Sequence, residues 1–168
     1  MRRELLHGMA AGAAGTTVLN AVTYLDMALR GRPASTTPEQ TVRRTESLTR
    51  VALSPQGLDS EPAGNRRSGL GALFGIAAGV GTGAVYGLMR PRLRRIPLAV
   101  MGLAAGVGAN AGSAGPMTAL GVTDPRQWPA SSWVMDIVPH VAYGIVTAAV
   151  FDTLDSGSGR AGRAPKVV

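Results

Sequence analysis

Asp136, His140, Tyr143 and Thr147 lie at i, i+4, i+7 and i+11. On an α-helix these positions share one face, so a carboxylate, an imidazole, a phenol and a hydroxyl line up along one stripe. Such a stripe inside an apolar segment fits a proton or cation relay, because imidazole changes charge near neutral pH and ionisable groups within membranes mark functional sites. The same side chains also suit interhelical hydrogen bonding, which contributes about 0.6 kcal/mol per bond in membrane bundles and fixes register. Asp136 falls near the start of its apolar run, where water reaches it, and this tilts the balance toward bonding. Ile137, Val138, Val141, Ile145 and Ala148 fill the opposite side and suit lipid.

Other chemistries lack their residues. With Cys 0, disulfides, thiol catalysis and cysteine-based zinc sites are excluded. His7 and His140 stand in different apolar runs, so a metal site would need carboxylates gathered from several helices. There is no Gly-x-Ser-x-Gly elbow, and Ser113 in GSAG has no base beside it. The glycine-rich GIAAGVGTG at Gly75–Gly83 lacks both the preceding strand and the GK[ST] ending of a phosphate loop. The expectation is a non-enzyme with no cofactor and no metal.

Long apolar runs must position the stripe. Leu5–Leu29, Leu70–Met89, Ile96–Gly115 and Trp133–Leu154 contain no Lys or Arg, and each approaches or exceeds the roughly 20 residues that cross a hydrocarbon core as helix. The composition agrees: hydrophobic residues make up 45% but aromatics only 4%. Gly, Ala, Val and Leu thus carry the apolar content, as in membrane helices. Leu5–Leu29 is longer than a signal-peptide core and contains Asn20 and Asp26, so it reads as a retained anchor.

The net charge of +7 rests on arginine, with Lys166 the one lysine. The arginines flank the apolar runs, densest in RPRLRR (Arg90–Arg95), and no aromatic residues interleave with them to stack bases. Nucleic-acid binding is therefore not expected, whereas anchoring to anionic headgroups is. By the positive-inside rule the Arg90–Arg95 turn is cytoplasmic. Parity then puts both termini in the cytoplasm and the first loop, residues 30–68, outside, although that loop is itself arginine-rich.

Within the first loop, TPEQ predicts a helix over about Pro38–Leu53. Thr37 would be its N-cap, Gln40 would reach back, and Glu39/Arg43 and Glu46/Arg50 would form i,i+4 pairs. Ser54–Asn65 reads as a flexible return, and residues 156–168 as a disordered basic tail. Trp128 and Trp133 fit an interfacial belt.

Gly71, Gly75, Gly79, Gly83 and Gly87 recur at a spacing of four. A row without side chains lets another backbone approach closely, which is how membrane helices associate through small residues. Gly8 and Gly12 continue into Thr16 and Asn20 at the same spacing, as do Gly102 and Gly106 into Asn110. At 1.5 Å per residue Asn20, Asn110 and His140 fall within a few ångströms of one depth. Asn20, Asn110, Asp136, His140 and Tyr143 are thus the candidate polar layer, and the glycines the candidate packing surface.

The chain resembles a family of small four-helix actinobacterial membrane proteins with no assigned activity. The residues that carry the resemblance are AVTYLDMALRGRPAS (Ala21–Ser35) leading into TPEQTV, SGLGALFG (Ser68–Gly75) and DIVPHVAYG (Asp136–Gly144). It implies a small integral membrane protein and no substrate. The chain also resembles small drug exporters in its four short spans, but it departs from them in having no Glu within Leu5–Leu29.

The expected fold is all-α, with four transmembrane helices in an antiparallel glycine-packed bundle and one short extramembrane helix. Residues 1–155 would form its single domain. The expected function is that of a structural or accessory cytoplasmic-membrane subunit that associates with itself or with another membrane protein. The competing expectation is a small channel or proton-coupled transporter that uses the polar layer.

Overall fold

A computed structural model describes residues 1–55, 57 and 59–161, with side chains followed to Gly157 in the last helix. The described residues are helical, without strands: α1 (Arg2–Arg30), α2 (Thr37–Thr49), α3 (Glu61–Met89), α4 (Leu98–Ala119) and α5 (Ala130–Ala161), with a 3-10 turn at Pro125–Gln127. α3, α4 and the Ala130–Gly157 part of α5 are long and apolar enough to cross a membrane. α1 matches α3 in length, but Thr16, Thr17, Asn20, Thr23 and Asp26 leave it outside that set.

The ends of the helices follow from local chemistry. α1 stops where Gly31 takes a left-handed φ of 63°, a conformation that suits glycine. Beside that stop, Asp26 accepts from Arg32 at 2.5 Å and pairs with Arg30 at 3.2 Å. α3 opens at Glu61, well ahead of Leu70, so the last part of the expected flexible return, residues 61–65, is instead its start. α5 continues through residues 156–161 where a disordered tail was expected, and residues 162–168 lie outside the described residues.

α2 departs from expectation in a way that matters for the site. It runs over 37–49, capped at Thr36, and ends where Arg50 takes a φ of 58°. Gln40 reaches back to the Thr36 hydroxyl at 2.9 Å, one residue earlier than the sequence suggested. Neither expected i,i+4 pair forms. Arg43 bonds Asp59 at 2.9 Å, Glu39 accepts from Ser68 at 2.7 Å, and Glu46 is taken by Arg67 at 2.6 Å. Those partners lie beyond the helix, so α2 is pinned to the start of α3 while its outer face, with Gln40, Arg43, Arg44 and Ser47, stays exposed.

α1 lies between α3 and α5, each antiparallel to it, while α4 packs mainly on α5 and touches α3 lightly. The core is made of small residues and a few rings: Ala11, Tyr86, Met101, Ala105, Ala109, Tyr143, Ala148 and Phe151. Tyr86 and Phe151 meet edge-on at 5.5 Å between centroids, a geometry worth about 0.5–1.5 kcal/mol beyond burial. Ala148, expected to face lipid, is buried against Gly102. α5 has neighbours on two sides, so of the residues expected to face lipid Ile137, Val138 and Ile145 stay about half exposed.

Candidate functional site

One end of the molecule gathers Arg3, Arg94 and Asp155, with Arg94 and Asp155 paired at 3.2 Å. From this end to mid-height the helices are closed by backbone contact. A Cβ on Gly8 would strike the Gly83 carbonyl and lie 2.9 Å from the Cα of Gly87, and one on Gly12 would lie 2.7 Å from the Gly79 carbonyl. Such distances exclude any side chain there. α4 and α5 meet in the same way, Gly106 standing 2.5 Å from the His140 carbonyl by the same measure and Gly102 3.1 Å from that of Gly144.

The five-glycine row of α3 does not act as one surface. Gly83 and Gly87 face the backbone of α1, Gly79 faces the side chains of Thr16 and Tyr143, and Gly71 faces Pro38 of α2. Gly75 faces nothing within 4 Å, contrary to its expected packing role. The cause is helical drift, since positions four apart rotate by about 40° per step and leave the α1 contact within two turns. Gly15 and Gly144 are close-packed too, though the spacing argument passed over them. Gly15 stands seven residues beyond Gly8, on the α5 side of α1, and Gly144 lies one turn beyond His140 on the α4 side.

Three members of the polar layer meet. Asn110 donates its amide to the Asp136 carboxylate. His140 Nδ1 lies 2.7 Å from the Asp136 backbone carbonyl and 3.6 Å from its carboxylate. A carbonyl only accepts, so Nδ1 carries the hydrogen. The 3.5 Å approach between the Asn110 nitrogen and Nδ1 then sets two donors side by side and is not a bond. Asp136 is thus the shared acceptor of the cluster, with its side chain only 23% exposed and that of His140 14%.

Tyr143 stands apart from these three. It is fully buried, and its hydroxyl donates to the Gly79 carbonyl at 2.6 Å. Asn20 is half-buried across the bundle and has no hydrogen bond among the described residues. The sequence-level layer therefore divides into an Asn110–Asp136–His140 cluster, a Tyr143–Gly79 tie, and Asn20 by itself.

Between these groups lies a chamber of about 810 Å³, walled by all five α-helices. Asn20, His140 and Tyr143 line it along with Gly75 and Gly79, and most of the remaining wall is apolar. It exists because α3 and α4 pack only lightly, with Thr82 against Gly108 and Gly112, and because glycine leaves the α3 wall bare beyond that contact. Its floor is the Tyr143–Gly79 tie above the closed half.

α2 forms the roof, held by a buried ion pair. Arg67 and Glu46 have side chains 8% and 3% exposed, and Glu46 also accepts from the Leu53 backbone at 2.8 Å. The Arg67 guanidinium, and then that N–H, hold the Glu46 carboxyl below its usual range. This latch was missed because Glu46 reads as the partner of Arg50, four residues on, whereas Arg67 is 21 residues away. No signal local to α2 identifies that partner.

No His, Cys, Asp and Glu group of three or more that would suit a metal occurs among the described residues. Compared with family models, curated proteins and solved structures, the chain matches none.

Proposed function

We propose that this chain is a four-span protein of the cytoplasmic membrane, with both termini inside, that holds a lipophilic molecule in the chamber beneath α2. On this reading it is a non-enzymatic binding or accessory subunit. The observation that carries it is the dead end of the chamber: Tyr143 bonds Gly79 across its floor, and below that Gly8, Gly12 and Gly83 leave no passage. A cavity that does not continue is suited to binding, not conduction.

The fourth span is α1. Its hydroxyls bond within the helix, Thr16 to the Gly12 carbonyl at 2.8 Å, Thr17 to Ala13 at 3.0 Å and Thr23 to Leu19 at 2.9 Å. Asp26 is paired with two arginines at the helix end. These bonds lower the cost of placing polar side chains in a bilayer, and α3 and α5 shield two sides of the helix. The resemblance to small actinobacterial membrane proteins supports the same four-span reading. The exposed arginines of the Arg90–Arg95 turn suit anionic headgroups. A second copy or another membrane protein would meet it on exposed apolar residues such as Ile137, Val138 and Ile145.

A small proton-coupled transporter is the second reading, favoured by the position of His140 at the chamber wall with Asp136 behind it. Proton and cation flux into proteoliposomes separates the two. The binding reading expects no flux above protein-free vesicles. Flux that disappears in His140→Ala would replace it with the transporter.

A further inference from the structure

The polar groups of the chamber share one property. Thr16, Thr41, Thr45, Thr49 and Ser113 all line it. Each donates its hydrogen to a carbonyl of its own helix, at 2.8, 2.8, 2.9, 2.9 and 3.1 Å respectively. The Tyr143 hydroxyl is likewise committed to Gly79. What these hydroxyls still have to offer a ligand is therefore lone pairs. His140 adds to them: Nδ1 carries the hydrogen bonded to Asp136, so in the neutral imidazole Nε2 is an acceptor, and it has no partner among the described residues. Asn20 offers both a donor and an acceptor, and Tyr24 stands at the exposed rim.

No unpaired carboxylate accompanies these acceptors. Glu46 is the lining acid among the described residues, and Arg67 already holds it. Nothing in the wall therefore compensates a cationic head, and an anionic head would face lone pairs. We infer, resting on the binding reading above, that the chamber takes a neutral lipophile bearing a hydrogen-bond donor, an alcohol or a phenol, whose O–H is accepted by one of these lone pairs, His140 Nε2 first among them.

The test uses the full chain in phosphatidylcholine nanodiscs at about pH 8, above the ordinary histidine range. The probes are para-octylphenol, its methyl ether and its trimethylammonium analogue. The phenol is expected to bind about tenfold tighter than the ether, as one retained hydrogen bond implies. In His140→Phe that preference should fall to within about threefold with the affinity for the ether unchanged, and Ser113→Ala should reduce it partway. Gly75→Leu fills open space, so it should abolish binding of all three probes while thermal stability holds. Equal binding of ether and phenol overturns the donor assignment but leaves the chamber reading standing. Strongest binding of the trimethylammonium probe overturns neutrality. If none of the probes binds the wild-type protein, the chamber reading itself fails.

Discussion

The Tyr143 hydroxyl donates to the Gly79 carbonyl at 2.6 Å, joining α5 to α3 past the intervening α1. Gly79 permits this because a Cβ there would collide with Thr16 and stand 3.5 Å from the Tyr143 ring. The bond sits where the closed half of the bundle gives way to the chamber. Removing the hydroxyl tests its weight. Tyr143→Phe keeps the ring and is expected to lower stability by about 1 kcal/mol, read as a lower melting temperature in detergent. An unchanged melt would show that the tie adds nothing to ring packing.

Glycines of one row should respond differently. Gly83→Leu forces a side chain into the α1 backbone and is expected to misassemble the protein or to destabilise it by at least about 1–3 kcal/mol. Gly75→Leu and Val85→Leu point into open space or away from the neighbours, Val85 being 55% exposed, and both should be tolerated. Size-exclusion profiles and melts of the three variants decide the matter, and equal damage from all of them would refute the contact pattern.

The roof should loosen in acid. Arg67 and the Leu53 N–H hold the Glu46 carboxyl below its usual range. A carboxyl depressed in the folded state stabilises docking above its unfolded pKa, about 4.3, and that contribution is lost as pH falls through the folded value. Hydrogen exchange of α2 amides should therefore be slow at neutral pH and accelerate only below the ordinary carboxylate range. In Glu46→Gln, α2 should exchange faster already at neutral pH and show no further acid step.

Topology can be read on this cysteine-free chain with single cysteines at Ser47, Arg94 and Ser156, all exposed. An impermeant maleimide added to intact cells is expected to label position 47 alone. Labelling at 94 from outside would invert the orientation, and labelling at both 47 and 156 would mean an even number of spans between them.

Some of this was legible from residue order because it depends on near neighbours. Apolar runs and helical spacing specify the helices and the stripe through Asp136 and His140, since both follow from 3.6 residues per turn. That Gly8, Gly12, Gly102 and Gly106 would admit a backbone followed from the absence of a Cβ. Which backbone arrives did not, and neither did the fate of Gly75, which has the same spacing as Gly79 yet opens on the chamber. That difference depends on where α1 leaves α3, a property of crossing geometry. The exchange of Arg50 for Arg67 as the partner of Glu46, and the burial of Ala148 between helices, have the same origin. Tertiary packing decides which of several chemically equivalent neighbours comes within 3 Å, and a hydrogen bond or ion pair forms only with the one that does.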